Sequence, residues 1–305
     1  MTRPHLSSDA WQQAAARYVE QVRPWTDAWR KRKSIRKPHP VYDFLFTYYS
    51  FTPAQLERWS PGVDVVMEDP AQAAHDIVRS QFLQHREGVS VIASDGLPEK
   101  VRTRLDWIRQ LLTRTANRPG QFGCFGLHEW AMVYRGREVR HEKTLELRLS
   151  QEEIDAVVES RPLCCTHFDA FRFFAEDARP MNRFEPTYDS RQEMEQPACL
   201  HSNMDLYKWA YKSTPWIPSE LVWKCFALAI DCREIDMRAS AYDLSPFGYE
   251  AIPVETTSGR RAYEQAQREL AARAAILRQE LIAALDAIIA PDTTAPRPTP
   301  QPARN

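Results

Sequence analysis

ACLHSNMDLYKWAYKSTPW (residues 198–216) crowds a histidine, an aspartate, two lysines and four aromatics into fewer than twenty positions. As a helix it places His201, Asp205 and Lys208 at i, i+4 and i+7, on one face. The remaining positions hold Leu200, Met204, Tyr207, Trp209 and Tyr211. Such a helix has little room for a fully solvated side. Whether its polar face looks into a cavity or at water is left open by this segment alone.

The flanks support a helical reading. Downstream, helices are predicted over 219–233 and roughly 259–290, the second rich in Ala, Leu, Arg, Glu and Gln, which are good helix formers. Upstream, LPEKVRTRLDWIRQLLTRTA (97–116) turns Val101, Leu105, Ile108, Leu111 and Leu112 to one side, and Asn117, Pro119 and Gly120 stop it. Residues 9–33 repeat Trp11, Ala15, Tyr18, Val22, Trp25 and Trp29 behind a predicted N-cap at Asp9, and Pro24 should end or kink that helix. Thr52 reads as an N-cap with Pro53 at N1. Ser150 with Glu153 forms a capping box for 151–159. GVSVIA (88–93) is the best strand candidate, and TLELRL (144–149) alternates like a second short strand. The fold class is mainly α, a helical globular domain with at most a small β element. Residues 1–37 form an N-terminal helix and basic arm, 38–290 the main helical domain, and 291–305 a Pro/Thr-rich tail expected to be disordered.

Composition narrows the function classes. The 305 residues are 43% hydrophobic and 27% charged, a soluble globular mix. Nine glycines stand against 22 prolines, and no glycine-rich phosphate loop is found. A net charge of −1 excludes a globally basic nucleic-acid clamp, so any such contact needs a local basic face. RKRKSIRK (30–37) is the one candidate, with six cations in eight positions and no acid; it reads as a solvated charge run or as a phosphate-contacting arm. None of the six cysteines forms a CxxC pair. The opening residues lack an apolar signal core and no run spans a bilayer, so the expectation is a cytoplasmic protein with no membrane partner.

Three segments concentrate chemical groups: 126–135 with His128 and Glu129, 165–172 with His167, Asp169 and Arg172, and 201–208 with His201, Asp205 and Lys208. If they converge, two chemistries open. The first is a divalent metal at His128, His167, Asp169 or His201. An HxD pair suits a strand, however, and on a helix His167 and Asp169 point about 200° apart. The second is acid–base or water-activating chemistry around Asp205, held ionised by His201 and Lys208. The bland alternatives are a polar pair at a helix start for His167 and Asp169, and an exposed i,i+3 ion pair for Asp205 and Lys208. Tyr48, Tyr49 and Trp59 are core aromatics or a stacking pocket for a base. Alternating acids and arginines over 231–238 read as interlocking salt bridges, while Asp243 and Glu255 are loop carboxylates to watch.

The motifs HPVYDFLFTYYSFTPAQLERWSPG, FGLHEWAMVYR, CTHFDAFRFF, CLHSNMDLYKWAYK and REIDMRASAYDLSPFGYEAIPVET resemble a bacterial, mainly actinobacterial, family labelled 3-methyladenine DNA glycosylase. The likeness covers most of 10–285. Where that family has a proline in ASPYDL, this chain has Ala241. The resemblance implies hydrolysis of the N-glycosidic bond of alkylated purines, with damaged DNA as partner and no cofactor. That reaction asks for base extrusion, an aromatic pocket and a carboxylate that stabilises the sugar cation. Asp205 or Asp169 would be that carboxylate, assisted by His201, His167 and Lys208, while Tyr48, Tyr49, Trp59, His128, Glu129 and Arg172 would bind substrate. The rival expectation is a small-molecule enzyme, with or without a metal, using the same His/Asp/Glu groups.

Overall fold

Capping chemistry and apolar periodicity set most of the helices. The computed structural model describes residues 3–136 and 145–289. Helix α1 (Ser8–Ser34) starts at Ser7, whose hydroxyl accepts from the Ala10 N–H, so the cap lies two residues before Asp9, which sits in the first turn. Pro24 lies inside α1 and does not end it: Trp11, Ala15, Tyr18, Val22 and Thr26 bury one continuous face on both sides of the proline. Tertiary burial of that face outweighs one lost backbone hydrogen bond.

Thr52 and Gln55 close a capping box on a single turn, Pro53–Leu56. The amphipathic segment becomes α2 (Glu99–Ala116). The motif segments supply α3 (Leu127–Met132) and the one-turn α5 (Phe168–Phe171), with α4 (Gln151–Glu159, capped by Ser150 and Glu153) between them. Then come α6 (Leu200–Lys212), α7 (Ser219–Arg238) and α8 (Thr257–Ile289). Helix α7 runs beyond the expected residue 233, because Arg233, Asp236 and Met237 are buried and carry it on.

The protein is mainly α, with one small sheet among the described residues. Strands β1 (His5–Leu6), β2 (Val66–Glu68), β3 (Leu83–Arg86) and β4 (Val89–Ile92) are ordered β1-β2-β4-β3, with only the β1–β2 pair parallel. Glu87 and Gly88, both at positive φ, join β3 to β4 in a two-residue hairpin. The strand expected at 88–93 is therefore β4. The one expected at 144–149 is not a strand among the described residues: Leu147 makes an isolated bridge to Tyr242, and Arg148 turns its side chain to Glu255. The tail at 291–305 lies outside the described residues.

Buried side chains form two apolar cores. The larger joins α1, the sheet, α2, α6, α7 and α8. The smaller gathers Leu127, Trp130, Ile154, Cys165, Ala170, Met237 and Tyr263 from α3, α4, α5 and the ends of α7 and α8. Helix α6 is buried from Leu200 through Ala210. Its apolar residues belong to the larger core, His201 and Lys208 face α3 and α5, and Asn203 faces Arg278 on α8.

Candidate functional site

Burial of α6 decides where its polar face looks. His201, Asp205 and Lys208 point inward and meet His128 and His167. The three motif segments converge.

Asp205 is the centre of the first group. One carboxylate oxygen accepts from Tyr49 Oη at 2.7 Å. The other accepts from Lys208 Nζ at 3.0 Å and faces His167 Nε2 at 3.3 Å. Burial alone would raise this carboxyl, but Lys208, His167 and Tyr49 outweigh it and hold it far below the ordinary carboxylate range. Lys208 also donates to Asp169 at 3.0 Å, and Arg191 donates to the same oxygen at 2.6 Å. Asp169 also meets Arg172 Nε at 3.3 Å. Burial raises Asp169 less than its cations lower it, so it too stays ionised. Glu195 stands at 3.8 Å from His167 Nε2 and is 2% exposed.

The second group is built on α3 and α7. Gly126, at φ +73°, opens α3. A Cβ there would stand 3.3 Å from Ala239 and from the Tyr263 ring, so glycine lets α3 pack tightly beside the end of α7. His128 Nε2 then lies 2.7 Å from Asp236 Oδ1. Arg233 bridges Asp236 at 2.7 Å and Glu129 at 3.1 Å. Burial opposes charge on His128, yet the Asp236 carboxylate prevails and raises its affinity for a proton well above normal. Burial and Asp236 raise Glu129 against the pull of Arg233.

His201 sits beside both groups, its ring centroid 4.5 Å from that of His128 and 5.4 Å from that of His167. Burial and the neighbouring His128 push its pKa down to about 3, so the imidazole is neutral at physiological pH. A neutral imidazole is the form that ligates a metal, so His201 is ready as it stands and His128 must first give up the proton that Asp236 holds on it. Ligand atoms of His128, His201 and Asp236 lie within 4.8 Å of one another, and so do those of His167, Glu195 and Asp205. Asp169 belongs to neither set: it is close to His167 in sequence, but it turns to Lys208 and Arg191. His167 is in extended backbone immediately before α5, and Asp169 is on the helix.

A cavity of about 110 Å³ reaches this network. Phe44, Tyr48, Met132, Ala170 and Phe173 give it apolar walls, and Glu129, Asp169, His201 and Arg233 supply the polar groups. Phe44 and Tyr48 stack at 4.7 Å, and the Arg233 guanidinium lies 4.0 Å over Phe44. Burial, followed by Asp205 and Asp169, pushes the Tyr48 hydroxyl up to about 12.

Other expected residues are placed differently. Tyr49 is buried and spends its hydroxyl on Asp205. Trp59 packs against Trp11 at 6.3 Å and donates to Glu220 at 3.2 Å. It lines a separate cleft of about 420 Å³ with Tyr18, Arg58, Arg79 and Tyr211, so the three aromatics do not share one pocket. Arg172 keeps a 45% exposed side chain, stacked over Phe173. In the basic arm, Arg30 is tied to Glu57 and Arg32 to Asp43, leaving Lys31, Lys33, Arg36 and Lys37 exposed. Asp243 is a half-buried turn residue accepting from the Ser245 N–H, and Glu255 pairs with Arg148. Asp236, read from sequence as one member of a salt-bridge ladder, and Glu195, inside an irregular loop, are the two carboxylates of the network that sequence reasoning misses. The six cysteines are free thiols. No helix among the described residues is long and apolar enough to cross a membrane.

No protein-family model, no curated protein and no solved structure matches the chain.

Proposed function

We propose that the protein is a metal-dependent hydrolase acting on a small molecule held in the aromatic-walled cavity. One observation carries the reading: two histidines and a carboxylate, His128, His201 and Asp236, converge in the interior, and one of them, His201, also lines the cavity. Two imidazoles and one carboxylate suit a first-row divalent ion and leave coordination positions open. Bound there, such an ion supplies an activated water at neutral pH.

The chain's own residues divide the remaining work. His201, held neutral, offers a lone pair without first losing a proton. Arg233 fixes Asp236 and Glu129 relative to each other. Glu129 lines the cavity with a raised carboxyl affinity for protons, the property wanted in a group that takes a proton and returns it to a leaving group. Asp205 is poorly suited to that proton transfer, because it is 1% exposed, does not line the cavity and is kept ionised by Lys208. A cavity of about 110 Å³ suits a compact substrate with an apolar or aromatic body, since drug-sized ligands occupy about 300–1,000 Å³.

The test is metal content and hydrolysis measured together. Metal-free protein is reconstituted with Zn²⁺ or Mn²⁺ and offered small aryl esters, amides and phosphoesters. The expected outcome is stoichiometric metal, lost in His201→Ala, and hydrolysis that falls at least about 100-fold in Glu129→Gln with the metal retained. Protein that folds normally but takes up no metal rules this reading out.

A second reading, hydrolysis of alkylated purine nucleosides in DNA, draws on the sequence resemblance and on Phe44, Tyr48 and Phe173 beside an ionised Asp169. An N3-alkylated adenine carries a positive charge and leaves as a neutral base, so a carboxylate and a stacking pocket suffice. It requires salt-dependent DNA affinity and release of 3-methyladenine by metal-free protein. Absence of both eliminates it.

A further inference from the structure

Glu195 is the least compensated group in the network. It is 2% exposed, and its Oε1 has no hydrogen-bond partner. Its other oxygen takes only the Ser202 hydroxyl, at 3.4 Å. The nearby buried carboxylates each have a cation in contact: Asp236 and Glu129 share Arg233, Asp205 has Lys208, and Asp169 has Lys208 and Arg191. Within ion-pair distance Glu195 has only an imidazole, His167 Nε2 at 3.8 Å, while Lys208, Arg191 and the buried Arg278 act on it from farther away. Five buried carboxylates thus meet three ion-pairing buried cations, Arg191, Lys208 and Arg233. A buried carboxylate with no cation in contact takes a proton or a cation. Burial, aided by Asp205, raises the Glu195 carboxyl against the pull of His167, Lys208 and Arg191.

Geometry favours the cation. His167 Nε2 stands 3.8 Å from Glu195 Oε1 and 3.3 Å from Asp205 Oδ2, and ligand atoms from all three residues lie within 4.8 Å of one another. The residues come from separate parts of the chain: His167 precedes α5, Glu195 lies in the loop before α6, and Asp205 is on α6. We propose that His167, Glu195 and Asp205 bind a second divalent cation beside the one held by His128, His201 and Asp236, making a two-metal centre with the His201 ring next to both positions. The inference rests on the first site being a metal site. Asp205 shares its Oδ2 between Lys208 and the ion, which gives the second site one imidazole, one free carboxylate and one shared carboxylate. That set is harder and richer in oxygen than the two-histidine site, so the two positions should differ in affinity.

Co²⁺ is the probe. Metal-free full-length protein is titrated with Co²⁺, the bound metal is counted by elemental analysis after dialysis, and the spin coupling of the bound ions is read by electron paramagnetic resonance. The expected result is two Co²⁺ per chain with coupled spins, and one uncoupled Co²⁺ in Glu195→Gln. One uncoupled ion in the wild type, unchanged in Glu195→Gln, overturns the second site and leaves the first standing. No bound ion overturns both. Two ions retained in Glu195→Gln overturn the assignment of Glu195. If Glu195→Gln fails to fold, the wild-type stoichiometry and coupling decide alone.

Discussion

Lys208 reaches back one turn along its own helix and places its ammonium 3.0 Å from the Asp205 carboxylate, with both side chains inside the protein. On a solvated helix an i,i+3 pair contributes a few tenths of a kcal/mol. Here the same ammonium also holds Asp169 at 3.0 Å. Lys208→Met removes the charge from beside two buried carboxylates. Loss of one partner of a buried pair costs about 3–5 kcal/mol. Denaturant unfolding should show a loss of that size; a loss below about 1 kcal/mol would mean that the pair is hydrated after all.

Gly259 controls the start of α8. A Cβ at this position would stand 2.0 Å from the Pro253 carbonyl oxygen, which is backbone and cannot swing aside. Gly259→Ala should therefore destabilise the protein by about 1–3 kcal/mol or more, even though alanine is the better helix former. Thermal unfolding of the variant measures it, and an unchanged or raised melting temperature contradicts the prediction.

Glu57 ties the end of α1 to the short turn that follows the aromatic segment. It accepts both Arg30 nitrogens, at 2.7 and 2.8 Å, and the Thr26 hydroxyl. Burial raises its carboxyl, but the Arg30 and Thr26 hydrogen bonds outweigh it and hold the pKa below normal. A depressed carboxyl adds stability above its unfolded value, about 4.3, and that stability is lost as pH falls through the lower folded value. The group is partly exposed, so about 0.5 kcal/mol is at stake. Wild type should be more stable than Glu57→Gln at pH 6, and the gap should close toward pH 3. A gap that persists in acid would trace to packing instead of charge.

Local chemistry is what the sequence carries well. Ser150 with Glu153, and Thr52 with Pro53, announce helix starts because cap and partner are three residues or fewer apart. The 97–116 helix is legible because its apolar side repeats at the helical period. Pro24 misleads for the complementary reason: burial of Trp11, Tyr18 and Val22 is a tertiary fact that no window around the proline contains. The paired strands β1 and β2 are two and three residues long, too short to show alternation, and they pair across a long stretch of chain. Within the site, the motif segments are visible as concentrations of His, Asp and aromatics. Asp236 is hidden among four other charged residues of 231–238, and only depth within the fold separates it from a surface ladder. Glu195 gives no signal at all, because its loop has no period and its partners come from elsewhere.

Enclosure of α6 also fixes an order in time. Its neighbours include α7 and, through the Asn203–Arg278 and Ala198–Gln267 hydrogen bonds, the last helix α8. During synthesis α6 leaves the ribosome well before the partners on α8 that enclose it. The partners of His201, Asp205 and Lys208 at Tyr49, His128, His167 and Asp169 are already made by then. What waits for α8 is the side of α6 that carries Asn203.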